Sequence, residues 1–276
     1  MRHLRGPALY GVLETCAVFA FACAGSVVTA AEPDLRAIAL DSVKDYVIER
    51  AEGEALEFTR LEQPIIRFTT NGIDEGDIFL WTQQGRPALV GQVFRLKNVE
   101  GGLWLHEFQS LSSEPFILRR AGKELWSPKT EGVEWHILKT DLVPSEVDRV
   151  RLTQFKQLAR EFTGAEQTPG ISEGDLKNFG LSMKPREAFR YQSKSHDVLD
   201  GIIFWFTQED KTDPELLLMI EAVSNQKANS WRYALARLSC WPMQVDHKGT
   251  RVADLPNLLN KTGKSDPFHI WRPAIP

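Results

Sequence analysis

The sequence predicts an α+β protein built from two tandem repeats, each a helix followed by an antiparallel β-meander of five or six strands. The first observation is a stretch that occurs twice. GDIFLWTQ (76–83) and LWLHEFQSLSS (103–113) return as GIIFWFTQ (201–208) and SWRYALARLSC (230–240). The second is the constancy of the spacing. Gly76, Ile78, Phe79, Thr82 and Gln83 match Gly201, Ile203, Phe204, Thr207 and Gln208 at one offset. From Pro87 onward, Pro87/Pro214, Leu89/Leu216, Asn98/Asn225, Trp104/Trp231, Leu111/Leu238 and Gly122/Gly249 match at an offset two residues longer. The slip falls in the first turn, where QQGRP becomes QEDKTDP, because a strand cannot take an insertion without turning its side chains over. The third is that short turns join the strands, which excludes the long crossovers of a parallel sheet.

The elements follow in order. Pro33 and Asp34 open a helix in which Ala39, Val43, Tyr46, Val47 and Arg50 recur at helical spacing, with Gly53 as its stop. PIIRFTT (64–70) reads as a strand, and EAFRY (187–191) as its looser partner. The repeated strands come next, with ALVGQVFRL and ELLLMIEAV as the second arms of their hairpins. A last hairpin turns at RRAGKE (119–124) or DHKGTR (246–251), with glycine at the same place in both, as a turn of positive φ requires. A second helix begins after Ser145, with Asp148 three residues on as a variant capping box. Val147, Val150, Phe155, Leu158, Ala159 and Phe162 form its apolar stripe and Gly164 its stop. Residues 164–174 (GAEQTPGISEG) read as a breaker-rich linker. In the tail after Leu255, Phe268, Ile270 and Trp271 are free to dock on the body. The organisation expected is a signal peptide at 1–30, a first repeat at 31–143, and a second at 144–276 that contains the linker and the tail.

Composition and charge narrow the function classes. With 42% hydrophobic and 25% charged residues, the chain is ordinary for a globular protein. A net charge of −4 argues against a nucleic-acid surface, which needs clustered Lys and Arg. Arg2 and Arg5, the apolar run from Thr15 to Val28, and the small residues around Ala30 make the first thirty residues a secretory signal. The run is too short for a membrane span, so no stable span is expected after cleavage and the mature protein is expected in the periplasm or outside the cell. Lipidation at Cys23 is the alternative, against which the approach Ala20-Phe21-Ala22 argues. Once Cys16 and Cys23 leave with the signal, Cys240 has no intrachain partner; its neighbours in LSCWP supply no positive charge to activate it, so it reads as buried and inert.

Candidate chemistry is sparse. His106 beside Glu107 is the first place to look for a general base, yet neighbours in a strand point to opposite faces. Trp104, His106 and Phe108 correspond to Trp231, Tyr233 and Leu235, a packing face, which favours a packed His106 with one ring nitrogen hydrogen-bonded. His196, next to Asp197 in a loop, is the other candidate base. Gly170 to Gly174 fits G-x-S-x-G, but it follows EQTP in a loop rather than a buried strand, and Asp210 and His247 fall at turns. No two histidines have metal-ligand spacing, and there is no phosphate loop or dinucleotide fingerprint, so neither metal nor cofactor is expected. Trp81, Trp104, Trp205 and Trp231 repeat on equivalent strands and are the candidate ligand-binding residues, with core packing as the competing role.

FLWTQQGRPALV, LHEFQSLSS, LTQFKQLAREF, TDPELLLMIEA and WRYALARLS resemble the recurring segments of uncharacterised exported proteins from planctomycete-type bacteria. That family has no assigned activity, cofactor or catalytic residue, so the resemblance implies export and a shared architecture only. The functional expectation is a non-catalytic binding or structural component of the cell envelope, with an envelope glycan or protein as partner. The alternative is an extracytoplasmic hydrolase with a site between the repeats and His106 or His196 as base.

Overall fold

The computed structural model describes residues 34–50, 58–70, 72–169, 176–209, 211–224 and 229–273. The expected signal segment, Cys16, Cys23, the G-x-S-x-G segment and Asp210 lie outside them. Helix α1 (Leu35–Ser42) starts where expected, with the Asp34 carboxylate accepting the Ala37 N–H at 3.1 Å. It stops at Ser42 instead of continuing to Arg50. Tyr46–Glu49 is strand β1, with Tyr46 and Ile48 buried and Val47 exposed. An aromatic and β-branched run fits a pleated, half-buried surface better than a third helical turn.

Strands β2 (Phe58–Arg60), β3 (Ile66–Thr70), β4 (Ile73–Gln83), β5 (Arg86–Leu96), β6 (Leu103–Ser110), β7 (Ile117–Arg120), β8 (Lys123–Trp126) and β9 (His136–Ile137) follow. Helix α2 (Asp148–Ala159) then buries Phe155, Leu158 and Ala159 but leaves Val147 and Val150 exposed. The expected capping box is not formed. Val147 occupies the N-cap position, and the Ser145 hydroxyl instead accepts the Val147 N–H at 3.1 Å. Nor is Gly164 the stop, since the helix ends at Ala159 and residues 164–169 of the expected linker belong to β10 (Phe162–Pro169). That strand is paired along both edges, with β11 (Leu176–Met183) and with β16 (Met243–His247), and this pairing overrides its breaker-rich composition. The remaining elements are β12 (Phe189–Ser193), a 3-10 turn at Lys194–His196, β13 (Val198–Gln208), β14 (Leu216–Ser224), β15 (Asn229–Arg237), β17 (Thr250–Leu255) and β18 (Phe268–Trp271). More strands therefore follow each helix than the sequence predicts; β1, β2, β9 and β18 are short, and alternation over two to four residues carries little signal, while β10 and β11 lie in and just beyond the segment read as a linker.

The fold is β-rich α+β, with antiparallel sheets and two helices among the described residues. One large sheet has the order β18-β6-β5-β4-β2 with β3 also on β4, and the other β17-β16-β10-β11-β13-β14-β15-β9 with β12 also on β13. Strands β1, β7 and β8 form a small third sheet. The large sheets face each other across a core that mixes Ile66, Ile78, Leu80 and Val90 of one with Ile203, Leu217, Met219 and Ala234 of the other. Each also has a buried outer face. Phe79, Trp81, Trp104 and Phe108 pack beneath α1 and the small sheet, and Phe204, Phe206, Trp231 and Tyr233 beneath α2. Residues 34–276 are one compact unit, so the boundary expected at 143/144 does not divide two bodies. Strand β9 pairs with β15 and β18 pairs with β6, so each half lends its last strand to the sheet of the other. No helix among the described residues is long and apolar enough to cross a membrane.

Pairing registers repeat. Gly76 opposes Phe94 as Gly201 opposes Glu221, and Val93 opposes His106 as Ile220 opposes Tyr233. Ala121-Gly122 (φ 48°, 74°) and Lys248-Gly249 (φ 51°, 74°) close the last hairpins with positive φ at both central positions, the tight turn that matches strand twist. Gly76 and Gly201 are needed for a different reason. A β-carbon at Gly76 would lie 2.3 Å from the Phe68 ring, and one at Gly201 2.4 Å from the Tyr191 ring. Each glycine is the bed for an aromatic ring on the adjacent strand. Gly76→Ala and Gly201→Ala are each expected to lower stability by about 1–3 kcal/mol through overpacking, read as a lower urea midpoint, while Gly101→Ala tests positive φ without a clash.

Candidate functional site

The residues singled out in the sequence take structural places. His106 is fully buried on the outer face of β6, its Nδ1 2.5 Å from the Tyr46 hydroxyl and its Nε2 3.5 Å from the Ser42 hydroxyl. Burial, with Arg120 adding to it, pushes its pKa down to about 3, so it is neutral and sealed from any substrate. It is not a base. His196 is half-buried, and its Nδ1 lies 2.8 Å from the Ser193 hydroxyl, which donates its proton to the Gln84 carbonyl at 2.9 Å. The serine hydroxyl thus ties the 3-10 turn to the β4–β5 hairpin. Trp81, Trp104 and Trp231 are 3%, 7% and 2% exposed and fill the outer cores, offering no face to a ligand. Trp205 alone of the four is half-buried, and it lines a surface groove. Cys240 is buried, its thiol pushed up to about 12 first by desolvation and then by the Glu107 carboxyl.

Alternation along β6 turns Glu107 away from His106 and into the space between the large sheets. There it lines a cavity of about 160 Å3 with Gln92 of β5, Glu166 of β10, Gln208 of β13, Glu215 at the entry to β14, and Ser239. The half-buried side chains of Lys211, Asp213 and Trp241 form its solvent-side rim. Glu107 is 6% exposed and Gln92 5%. Glu107 Oε2, Gln92 Oε1 and Asp213 Oδ1 are buried without a hydrogen-bond partner among the described residues. Native interiors rarely leave such atoms unpaired, so three around one cavity mark a place built to meet something else.

Electrostatics sharpen the picture. Burial pushes the Glu107 carboxyl up to about 8, against a smaller downward pull from Arg237. The Arg237 guanidinium is committed to the carbonyls of Ser239 (2.7 Å), Trp241 (2.6 Å) and Pro256 (2.9 Å), so it acts on the cavity through space. Glu166 accepts from the Ser239 hydroxyl and from Gln208 Nε2, both at 2.5 Å. Desolvation raises Glu166, these bonds pull it back, and Glu215 adds a further hydrogen bond. Glu215 is raised well above the usual carboxylate range, first by burial and then by the Glu166 charge. Both carboxyls of the pair are thus raised, Glu215 well above the usual range, as happens when two close buried carboxyls cannot both ionise. No group of three or more His, Cys, Asp and Glu among the described residues has the geometry to hold a metal ion.

The other end of β14 carries a neutralised counterpart. Glu221, fully buried, accepts from Arg86 at 2.8 and 3.2 Å, from Arg232 at 2.6 Å and from the Tyr191 hydroxyl at 2.8 Å. Trp135 lies against both guanidiniums at 4.6 and 4.8 Å. This carboxylate has its partners and ties β5 of one sheet to β14 and β15 of the other. The acidic cavity has Lys211 at its rim and Arg237 nearby, but neither forms an ion pair with its carboxyls among the described residues.

The sequence reading missed Glu107, Glu166 and Glu215 as a group. Its one available signal was a charged residue, Glu107, on the face of β6 opposite to the packed His106. No protein family, curated protein or solved structure matches this chain.

Because Glu107 titrates near 8 in the folded protein and near 4.5 when unfolded, the native state binds the extra proton between those values, and stability falls as pH rises from about 4.5 to 8. Glu107→Gln removes that decline. The denaturation midpoint of the variant is expected to gain on the wild type progressively between pH 5 and pH 8.5; a constant difference would assign the slope to other groups.

Proposed function

We propose that this chain is an exported, non-catalytic binding protein whose ligand is a small cation or hydrogen-bond donor held in the acidic cavity between the sheets. The observation that carries this reading is the set of unpartnered buried acceptors, Glu107 Oε2, Gln92 Oε1 and Asp213 Oδ1, around one small cavity. At about 30 Å3 per water, the cavity's 160 Å3 suits a compact ligand of a few heavy atoms. An ammonium or guanidinium group donates to all of these acceptors at once and supplies the positive charge that the carboxyls lack. The signal-like first thirty residues and the resemblance to exported planctomycete-type proteins support export.

We infer that the two halves descend from one duplicated unit. Repeated registers, the paired ring-over-glycine contacts and the reciprocal exchange of β9 and β18 support it. On this reading the two ends of the inner core began alike and diverged. One was neutralised by Arg86 and Arg232, and the other kept its carboxyls for a ligand. A hydrolase reading retains one argument, two neighbouring carboxyls, Glu166 and Glu215, both raised above the usual range in one site.

Calorimetric titration with small primary amines and with neutral polyols of equal size tests the binding reading. Amines are expected to bind, with affinity rising as pH rises through about 8 and Glu107 gives up its proton; Glu107→Gln is expected to abolish that dependence. Equal binding of the polyols, or none by the amines, would sink it. Turnover of a glycoside or peptide substrate that Glu215→Gln abolishes would establish the hydrolase instead.

A further inference from the structure

A second concavity has the opposite charge. A groove of about 510 Å3 runs between Ile65, Ile66 and Arg67 on one side and Lys184 to Ala188, the segment entering β12, on the other. Trp205 of β13 is its aromatic wall. An adjacent groove of about 420 Å3 shares Pro185 and adds Lys156 and Arg160 from the end of α2. Among the ionisable residues lining the two, Arg67, Lys156, Arg160, Lys184 and Arg186 are cationic and Glu187 alone is acidic. On a chain of net charge −4 such a concentration creates a local field of the opposite sign to the whole.

Not all of this charge is spent internally. Lys156 lies 3.5 Å from Glu187, and Arg67 lies 3.3 Å from the buried Asp77. Arg160, Lys184 and Arg186 make no ion pair among the described residues, and Arg160 and Arg186 are exposed. The backbone, by contrast, is committed. The N–H groups of Ile65, Lys184 and Ala188 donate to the carbonyls of Ile78, Trp205 and Ile203 at 2.8 to 2.9 Å. Recognition here falls to side chains, which disfavours addition of a peptide strand, a mode that relies on free main-chain groups. Cationic side chains beside a half-buried indole suit a ligand that alternates negative charge with apolar C–H faces.

We propose that this groove binds an anionic polysaccharide. Its carboxylates engage Arg160, Lys184 and Arg186 through charge-assisted hydrogen bonds, and one sugar ring lies against Trp205. The groove shares no lining residue with the acidic cavity, so the inference stands independently of the ligand assigned there.

Titrating the purified protein with oligogalacturonates, followed by tryptophan emission, tests it. Neutral cello-oligosaccharides and polyglutamate serve as controls. Binding confined to the oligogalacturonates is expected, with a change in Trp emission and an affinity that falls as added salt shortens the Debye length. Lys184→Ala/Arg186→Ala should weaken binding roughly tenfold or more, with the unfolding midpoint unchanged. Arg186→Glu, at an exposed position, repeats the test where folding is not at stake. Equal affinity for the neutral chain would reduce the site to generic aromatic stacking, and equal affinity for polyglutamate would make the partner an acidic polypeptide. Either result overturns the proposal, as does full affinity in Arg186→Glu or no binding of the oligogalacturonates at low salt.

Discussion

The central strands β4, β5, β13 and β14 are buried on both faces, and that constraint governs the molecule. An antiparallel sheet ordinarily keeps one face in water. Here one face of each large sheet meets the other sheet while the second is roofed by a helix and, on one side, by an additional small sheet. Every residue of these strands must then either be apolar or find a partner. Phe79 and Leu80 belong to different cores although they are neighbours in sequence, and so do Phe204 and Trp205. A single shift in register would exchange the contents of two cores at once, which fixes the strands far more firmly than one-sided burial would.

Against that background the buried polar residues fall into two kinds. Glu221 is answered by two guanidiniums and a phenol, and it behaves as a clamp between sheets. Breaking such a cluster on one side leaves a charge without a counter-charge, which is more costly than never having had the pair. Glu107, Glu166 and Glu215 are answered only in part, by a serine, a glutamine and one another. Carboxyls in that condition remain protonated well above their usual range. Burying them without full partners costs stability, so a role in stability alone does not account for them.

Much of this architecture was legible in the sequence. The antiparallel strands were read from short turns and alternation, and alternation assigned His106 to a packed face with a hydrogen-bonded ring nitrogen, where it lies. The misreadings have a common physical source. Tyr46–Glu49 and residues 164–169 took their conformation from strands distant in the chain, and neither helical spacing nor a run of Gly, Pro and Thr registers such partners. The acidic cavity was illegible for the same reason. Glu107 and Glu166 come from separate strands and Glu215 from the entry to a third, and only the facing of the two sheets brings them to one space. Trp81 and Trp205 show how fine the distinction is, since both stand in repeated strands and only one reaches the surface.

The exchange of terminal strands bears on how the molecule is made. Strand β6 receives its outer neighbour from residues 268–271, far along the chain from it. Until they arrive, the N-terminal half carries an unsatisfied row of amides and carbonyls beside an incomplete aromatic cluster at His106 and Trp271. Such an edge pairs readily with foreign strands. Closure of the first sheet therefore depends on a contact distant in sequence, which forms later than the local hairpins and leaves that edge open in the meantime.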